Sequence, residues 1–190
     1  AESLERQSAT APDVDALATH FLGAGDDTRA LPWALKAAER AAAAYAHHDA
    51  IGHFDAALRI LEAQADAATG TPDEDEAWRA VDAVRRDAAE SARQAGAYGR
   101  AHVLLEQCLR RAERSTGPSG RIAQADLHAS LGQVSQERGD AEGAIMRLET
   151  ALRMYGRPPP ANLFVLGLET AWQLLRHLTT RLEGEPQRIF

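Results

Sequence analysis

His47, His48, Asp49 and His53 are the densest group of potential ligands in the sequence. On a helix, Asp49 and His53 stand four residues apart and share a face, which suits a weak two-point metal site. No third ligand completes it, so the group reads as a helix junction. Cys108 is the only cysteine, which rules out an intramolecular disulfide. A nucleophilic thiol needs an electropositive, part-exposed setting; Cys108 stands where a helix needs a small residue and is expected to be buried. Gly117-Pro118-Ser119-Gly120 has no preceding strand and no Lys-Ser or Lys-Thr after it, so it reads as a linker turn and not as a phosphate loop. The single lysine, Lys36, lies inside a helical segment. Asp26-Asp27 fits a helix cap, and His20 beside Phe21 fits an interhelical contact. Arg110, Arg111 and Arg114, with Arg121 nearby, fit the negative end of a helix dipole. These residues form no catalytic constellation and require no cofactor or metal. The expectation is a chain that is not an enzyme.

Composition indicates what must position these side chains. The chain has 190 residues, 45% hydrophobic and 26% charged, enough for one folded domain with a core. It holds 40 alanines, whereas aromatic residues make up 5%. That balance favours helices packed closely through small residues and argues against a β-rich fold. The net charge is −7, and residues 1–76 carry 15 acidic against 5 basic side chains. A net acidic chain is a poor generic binder of phosphate backbones. No apolar run reaches the ~18 to 20 residues of a membrane span. Neither nucleic acid nor membrane is therefore an expected partner. With one cysteine and no signal peptide, the expected setting is cytoplasmic. A chain starting Ala1-Glu2, without Met, is expected to be processed or excised from something larger.

Hydrophobic periodicity and breaker residues predict about eight helices, near 12–23, 28–46, 49–67, 72–95, 97–114, 120–138, 140–155 and 161–183. Pro32 is tolerated in the first turns of the second helix. Thr71, Pro72 and Glu74 read as a capping box opening the fourth, with Asp73, Glu74, Asp75 and Glu76 on the positive end of its dipole. The expected organisation is a flexible lead-in over 1–11, a helical domain over 12–183 and a loose tail over 184–190.

One phrase recurs at 47–61, 96–109 and 139–152: a turn, then a small, a large and a small residue at offsets of four and three. The triplets are Ala50, Phe54, Ala57; Ala101, Leu105, Cys108; and Ala144, Leu148, Ala151. These offsets keep each triplet on one helix face, where the small residues admit a neighbouring helix and the large one fills the angle between them. Leu131-Gly132 stands eight and seven residues before Gly139, and a looser copy runs through Leu17-Ala18, Phe21, Gly25-Asp26, Ala30, Ala34 and Ala37. The pattern resembles tetratricopeptide (TPR) repeats. The resemblance implies an all-α, right-handed solenoid of antiparallel helix pairs. The small residues at 30, 50, 101 and 144 are spaced 20, 51 and 43 apart, so the likeness is one of fold and not of a regular tandem array. It further implies that one face of the first helix of each pair lines a groove. In the fourth helix that face carries Arg86, Glu90, Arg93 and Gln94, and in the sixth Asp126, Gln133, Gln136 and Glu137. Chaperone-binding TPRs place Lys and Asn where this chain has Arg86 and Glu90, which disfavours a chaperone-tail receptor.

A second resemblance covers most of the chain. Residues 17–61, LATHFLGAGDDTRALPWALKAAERAAAAYAHHDAIGHFDAALRIL, and the later MYGRPPP segment with its Leu/Trp-rich continuation are similar to the helical region that follows the ATPase module in large bacterial signalling proteins. That family includes multidomain ATPases joined to adenylyl or guanylyl cyclase domains and ATPase-regulated LuxR-type activators; those modules are not in this sequence. The resemblance implies a non-catalytic regulatory module that binds a protein segment or a neighbouring domain of its parent. The alternative is a small-molecule sensor with an interhelical pocket controlling an effector domain. In the eighth predicted helix apolar residues spread around more than one face. That helix is either the buried cap of the last repeat or a surface for other protein; the expectation is the second, with Phe164, Leu168, Trp172 and Leu175 forming an interface with the parent protein or with a second copy in a homodimer.

Overall fold

The computed structural model describes residues 13–115 and 117–157. Among them the chain is all-helical: α1 (Val14–Gly23), α2 (Asp27–Ala43), α3 (His47–Ala67), α4 (Glu74–Gln94), α5 (Tyr98–Ala112), α6 (Pro118–Glu137) and α7 (Ala141–Met154), with no strand. The predicted eighth helix, the lead-in 1–11, the tail 184–190 and the interface residues Phe164, Leu168, Trp172 and Leu175 lie outside the described residues.

Four of the helix junctions are built alike. At α1–α2, α2–α3, α4–α5 and α6–α7 the chain passes through the left-handed region at Gly25, Tyr45, Gly96 and Gly139, with φ of +68°, +60°, +75° and +85°. The next residue donates its N–H five positions back: Asp26 to Phe21, Ala46 to Ala41, Ala97 to Ala92 and Asp140 to Ser135, at 2.8–3.1 Å. This is the Schellman closure of a helix. Five residues after each left-handed position comes a fully or almost fully buried alanine: Ala30, Ala50, Ala101 and Ala144. Asp13, Asp26 and Asp140 cap α1, α2 and α7 by accepting from Ala16, Arg29 and Gly143.

Alanine dominates the interior. Ala30, Ala34, Ala37, Ala38, Ala50, Ala57, Ala65, Ala92, Ala101 and Ala125 have no exposed surface, which lets helix axes approach closely. One apolar cluster runs from Ala38 through Phe54, Val81, Ala88 and Leu105 to Leu131 and Val134. A smaller one joins Leu17 and Phe21 of α1 to Ala30 of α2 and Ile60 of α3. Substantial helix–helix contacts run between neighbours in sequence.

Three predicted boundaries shift. Helix α4 begins at Glu74 and not at 72, because the Thr71 hydroxyl donates to the Ala68 carbonyl at 2.6 Å and holds the chain in a turn first. The Glu74 carboxylate accepts from the Gly70 N–H at 2.8 Å, so the reciprocal half of the expected capping box reaches one residue further back than Thr71. Helix α6 begins at Pro118, where the missing N–H costs nothing, after Gly117 at φ +115°. Helix α2 ends at Ala43 because Tyr45 turns left-handed. Pro32 sits inside α2, which continues through it.

Candidate functional site

Five of the eight groove residues expected from the sequence meet in one network. On α4, Arg93 is held by Glu90 through Nε at 2.8 Å and Nη2 at 2.6 Å, and Gln94 donates to the same Glu90 carboxylate at 2.8 Å. Spacings of three and four put these groups on one face. Arg93 then reaches across to Glu137 of α6 at 2.5 Å, and Gln133 donates to that same Glu137 oxygen at 3.2 Å. The Arg93 hydrogen bonds hold the Glu90 carboxyl below the ordinary carboxylate range, with Gln94 and the nearby His47 pulling the same way and partial burial opposing. The two carboxylates in turn hold the Arg93 guanidinium above its usual value. The Glu90 side chain keeps 57% of its surface exposed, so its carboxylate stays open to a partner.

The other three residues stand apart from this network. Arg86 is exposed and lines a separate cleft; Asp126 accepts from the hydroxyl of Tyr155, the C-cap of α7, which pushes that phenol up; Gln136 is exposed without a side-chain partner among the described residues. His47, read from the sequence as part of a helix junction, opens α3, and its ring stands edge-on to the exposed Tyr45, 6.1 Å between centroids. Tyr45 occupies the position that is glycine in the three sister turns.

The network belongs to a wider pattern of polar side-chain pairs between alternate helices. Asp15 of α1 stands 3.6 Å from His53 of α3, Arg100 of α5 pairs with Asp55 of α3, and Arg147 of α7 pairs with Glu106 of α5. Arg93 to Glu137 does the same from α4 to α6. Exposed pairs of this kind contribute little stability; they mark which helices that are not neighbours in sequence lie side by side.

The remaining chemical groups have structural settings. Cys108 is buried, its thiol faces the Asp82 carbonyl at 3.7 Å, and burial pushes its pKa up to about 12, far from a nucleophile's range. Asp15 binds Arg40 as well as facing His53. Among the described residues no three His, Cys, Asp or Glu side chains converge as a metal site requires. Asp26 serves as the expected cap and Asp27 pairs with Arg59 at 3.2 Å. His20, expected between helices, is instead exposed, edge-on to Phe21. Arg111 and Arg85 both lie over the Trp78 ring, 5.1 and 5.5 Å from its centroid, and Arg111 faces Asp75 and Asp82 at 3.4 Å. Arg85, almost fully buried, joins Glu62 of α3 at 2.8 Å and Asp82 at 3.2 Å. Burial raises the Asp82 carboxyl despite these guanidiniums.

A cleft of about 860 Å³ opens between α4, α5 and α6, rimmed by Arg79, Arg86, Arg111 and Arg114 with Glu74 and Asp75, over a floor of Cys108, Ala112 and Leu127. No helix among the described residues is long and apolar enough to cross a membrane. The chain matches no known protein-family model, and no curated protein matches its sequence.

Proposed function

We propose that the chain is a TPR-like, right-handed α-solenoid that acts as a non-catalytic interaction module in a cytoplasmic bacterial signalling protein. It binds a protein segment or a neighbouring domain across the face of α4 and α6 that carries Glu90, Arg93, Gln94, Gln133 and Glu137. The observation that carries the reading is one helix junction repeated four times, with polar side-chain pairs joining alternate helices. Such a build exposes a continuous face of side chains from successive helices, on which an extended segment can lie. The preassembled Glu90–Arg93–Glu137 network lowers the cost of ordering that face when a partner docks.

A second reading, a small-molecule sensor, rests on the arginine-rimmed cleft, whose volume falls within the range of ligand pockets. Its rim is charged, while ligand pockets are mostly apolar, so the groove comes first. Selection of peptides from a displayed library on the immobilised chain separates the two. The groove reading gives peptides whose binding weakens about tenfold or more in Glu90→Ala/Glu137→Ala. Peptides indifferent to that variant, together with a metabolite that raises Tm through Arg79 and Arg86, would instead support the sensor.

A further inference from the structure

We infer that the apolar stripe made by Ile145, Leu148 and Leu152 of α7 with Tyr155 at its C-cap is the docking seat of residues 161–183 of the same chain, the segment expected from its sequence to be the next helix. The first ground is a comparison inside the molecule. Phe54 and Leu105, the large residues of the first two triplets, are 3% and 6% exposed. Each shares the main core with the helix that follows its own: Ala88, Ala89 and Ala92 of α4 come after Phe54, and Leu127, Leu131 and Val134 of α6 after Leu105. Leu148 holds the same place in the third triplet and is 37% exposed, although its small partners Ala144 and Ala151 are buried. Among the described residues no helix follows α7.

The second ground is the rest of the α7 surface. Ile145, Leu152 and Tyr155 are 59%, 39% and 44% exposed. With Leu148 they fall at offsets of three, four and three, a single stripe along the helix. Of the eight large apolar side chains exposed among the described residues, five lie in or just after α7, the fifth being Met146. The third ground is the chain itself. It leaves α7 through Gly156 at φ +73°, with Arg157 donating to the Leu152 carbonyl at 2.9 Å, the same closure that reverses the chain at the four earlier junctions. The sequence beyond supplies Phe164, Leu168, Trp172 and Leu175 at offsets of four, four and three, a matching stripe. As a helix, residues 161–183 would extend roughly 35 Å at about 1.5 Å per residue, enough to span α7. A covalently adjacent segment has the advantage of effective concentration over any second copy.

Hydrogen exchange on the full chain tests the seat. Amides of 161–183 should exchange roughly tenfold or more slowly than a random coil, equally in dilute and concentrated protein. Ile145→Glu/Leu152→Glu should remove that protection while α4 and α5 keep theirs, which separates undocking from global unfolding. The idea is overturned if the segment is unprotected in the parent chain, or if protection survives the double substitution. Protection that grows with protein concentration alongside a dimer in sedimentation also overturns it, and makes a second copy the occupant.

Discussion

Tyr45 carries the clearest cost at the scale of single residues. It stands at φ +60° where its three counterparts are glycine, and its ring is 86% exposed. A side chain in the left-handed region costs about 1–2 kcal/mol, and glycine gives back roughly 0.5–1 kcal/mol of that in backbone entropy. Tyr45→Gly should therefore stabilise the fold by about 0.5–1 kcal/mol in urea unfolding. Gly96→Ala should do the reverse, since nothing lies within 4 Å of the added Cβ and the whole cost is conformational. A Tyr45→Gly variant less stable than the parent would mean that the ring's contact with His47 outweighs the backbone strain. At this scale the sequence shows some groups and hides others. Glu90, Arg93 and Gln94 are legible because three- and four-residue offsets bring them together on any helix. Arg93 and Glu137 are 44 residues apart, and only the packing of α4 and α6 makes them a pair. Cys108 was legible as a small-residue position, whose burial then sets its chemistry.

Among the elements, the repeated junction accounts for spacings that look irregular in the sequence. The offset of 20 between Ala30 and Ala50 arises because α2 is the second helix of one junction and the first of the next. Offsets of 51 and 43 span the longer connections after α3 and α5, where Gly70 and Gly117 supply the left-handed residues. The seven described helices were readable because breaker residues and the apolar period agree at nearly every boundary. The starts of α4 and α6 were not: the Thr71 hydroxyl bond to the Ala68 carbonyl delays the first, and Pro118 opens the second two residues ahead of Gly120. Close approach at the junction alanines has a direct consequence. Ala50→Leu and Ala101→Leu, at positions with no exposed surface, should each destabilise the fold by about 1–3 kcal/mol through overpacking. Ala63→Leu, on the exposed side of α3, should change stability little. Junction variants that unfold at the same urea concentration as the parent would show that these alanines do not sit between helices.

For the whole molecule, polar side-chain pairs join α1 to α3, α3 to α5 and α5 to α7, as the proposed solenoid requires. In the proposed solenoid an open line of alternate helices, unlike a closed bundle, leaves a face free for a partner, and the proposed function depends on that openness. The most direct measurement is the distance between spin labels at Thr19→Cys on α1 and Arg153→Cys on α7, both exposed sites, in a Cys108→Ala background. Three interhelix steps of 8–10 Å each place the label-bearing helices about 25–30 Å apart in the stacked arrangement. A distribution centred there, unchanged on dilution, agrees with the open array. A peak near one interhelix step, about 10 Å, would mean that α1 and α7 close on each other as a bundle, and would contradict it.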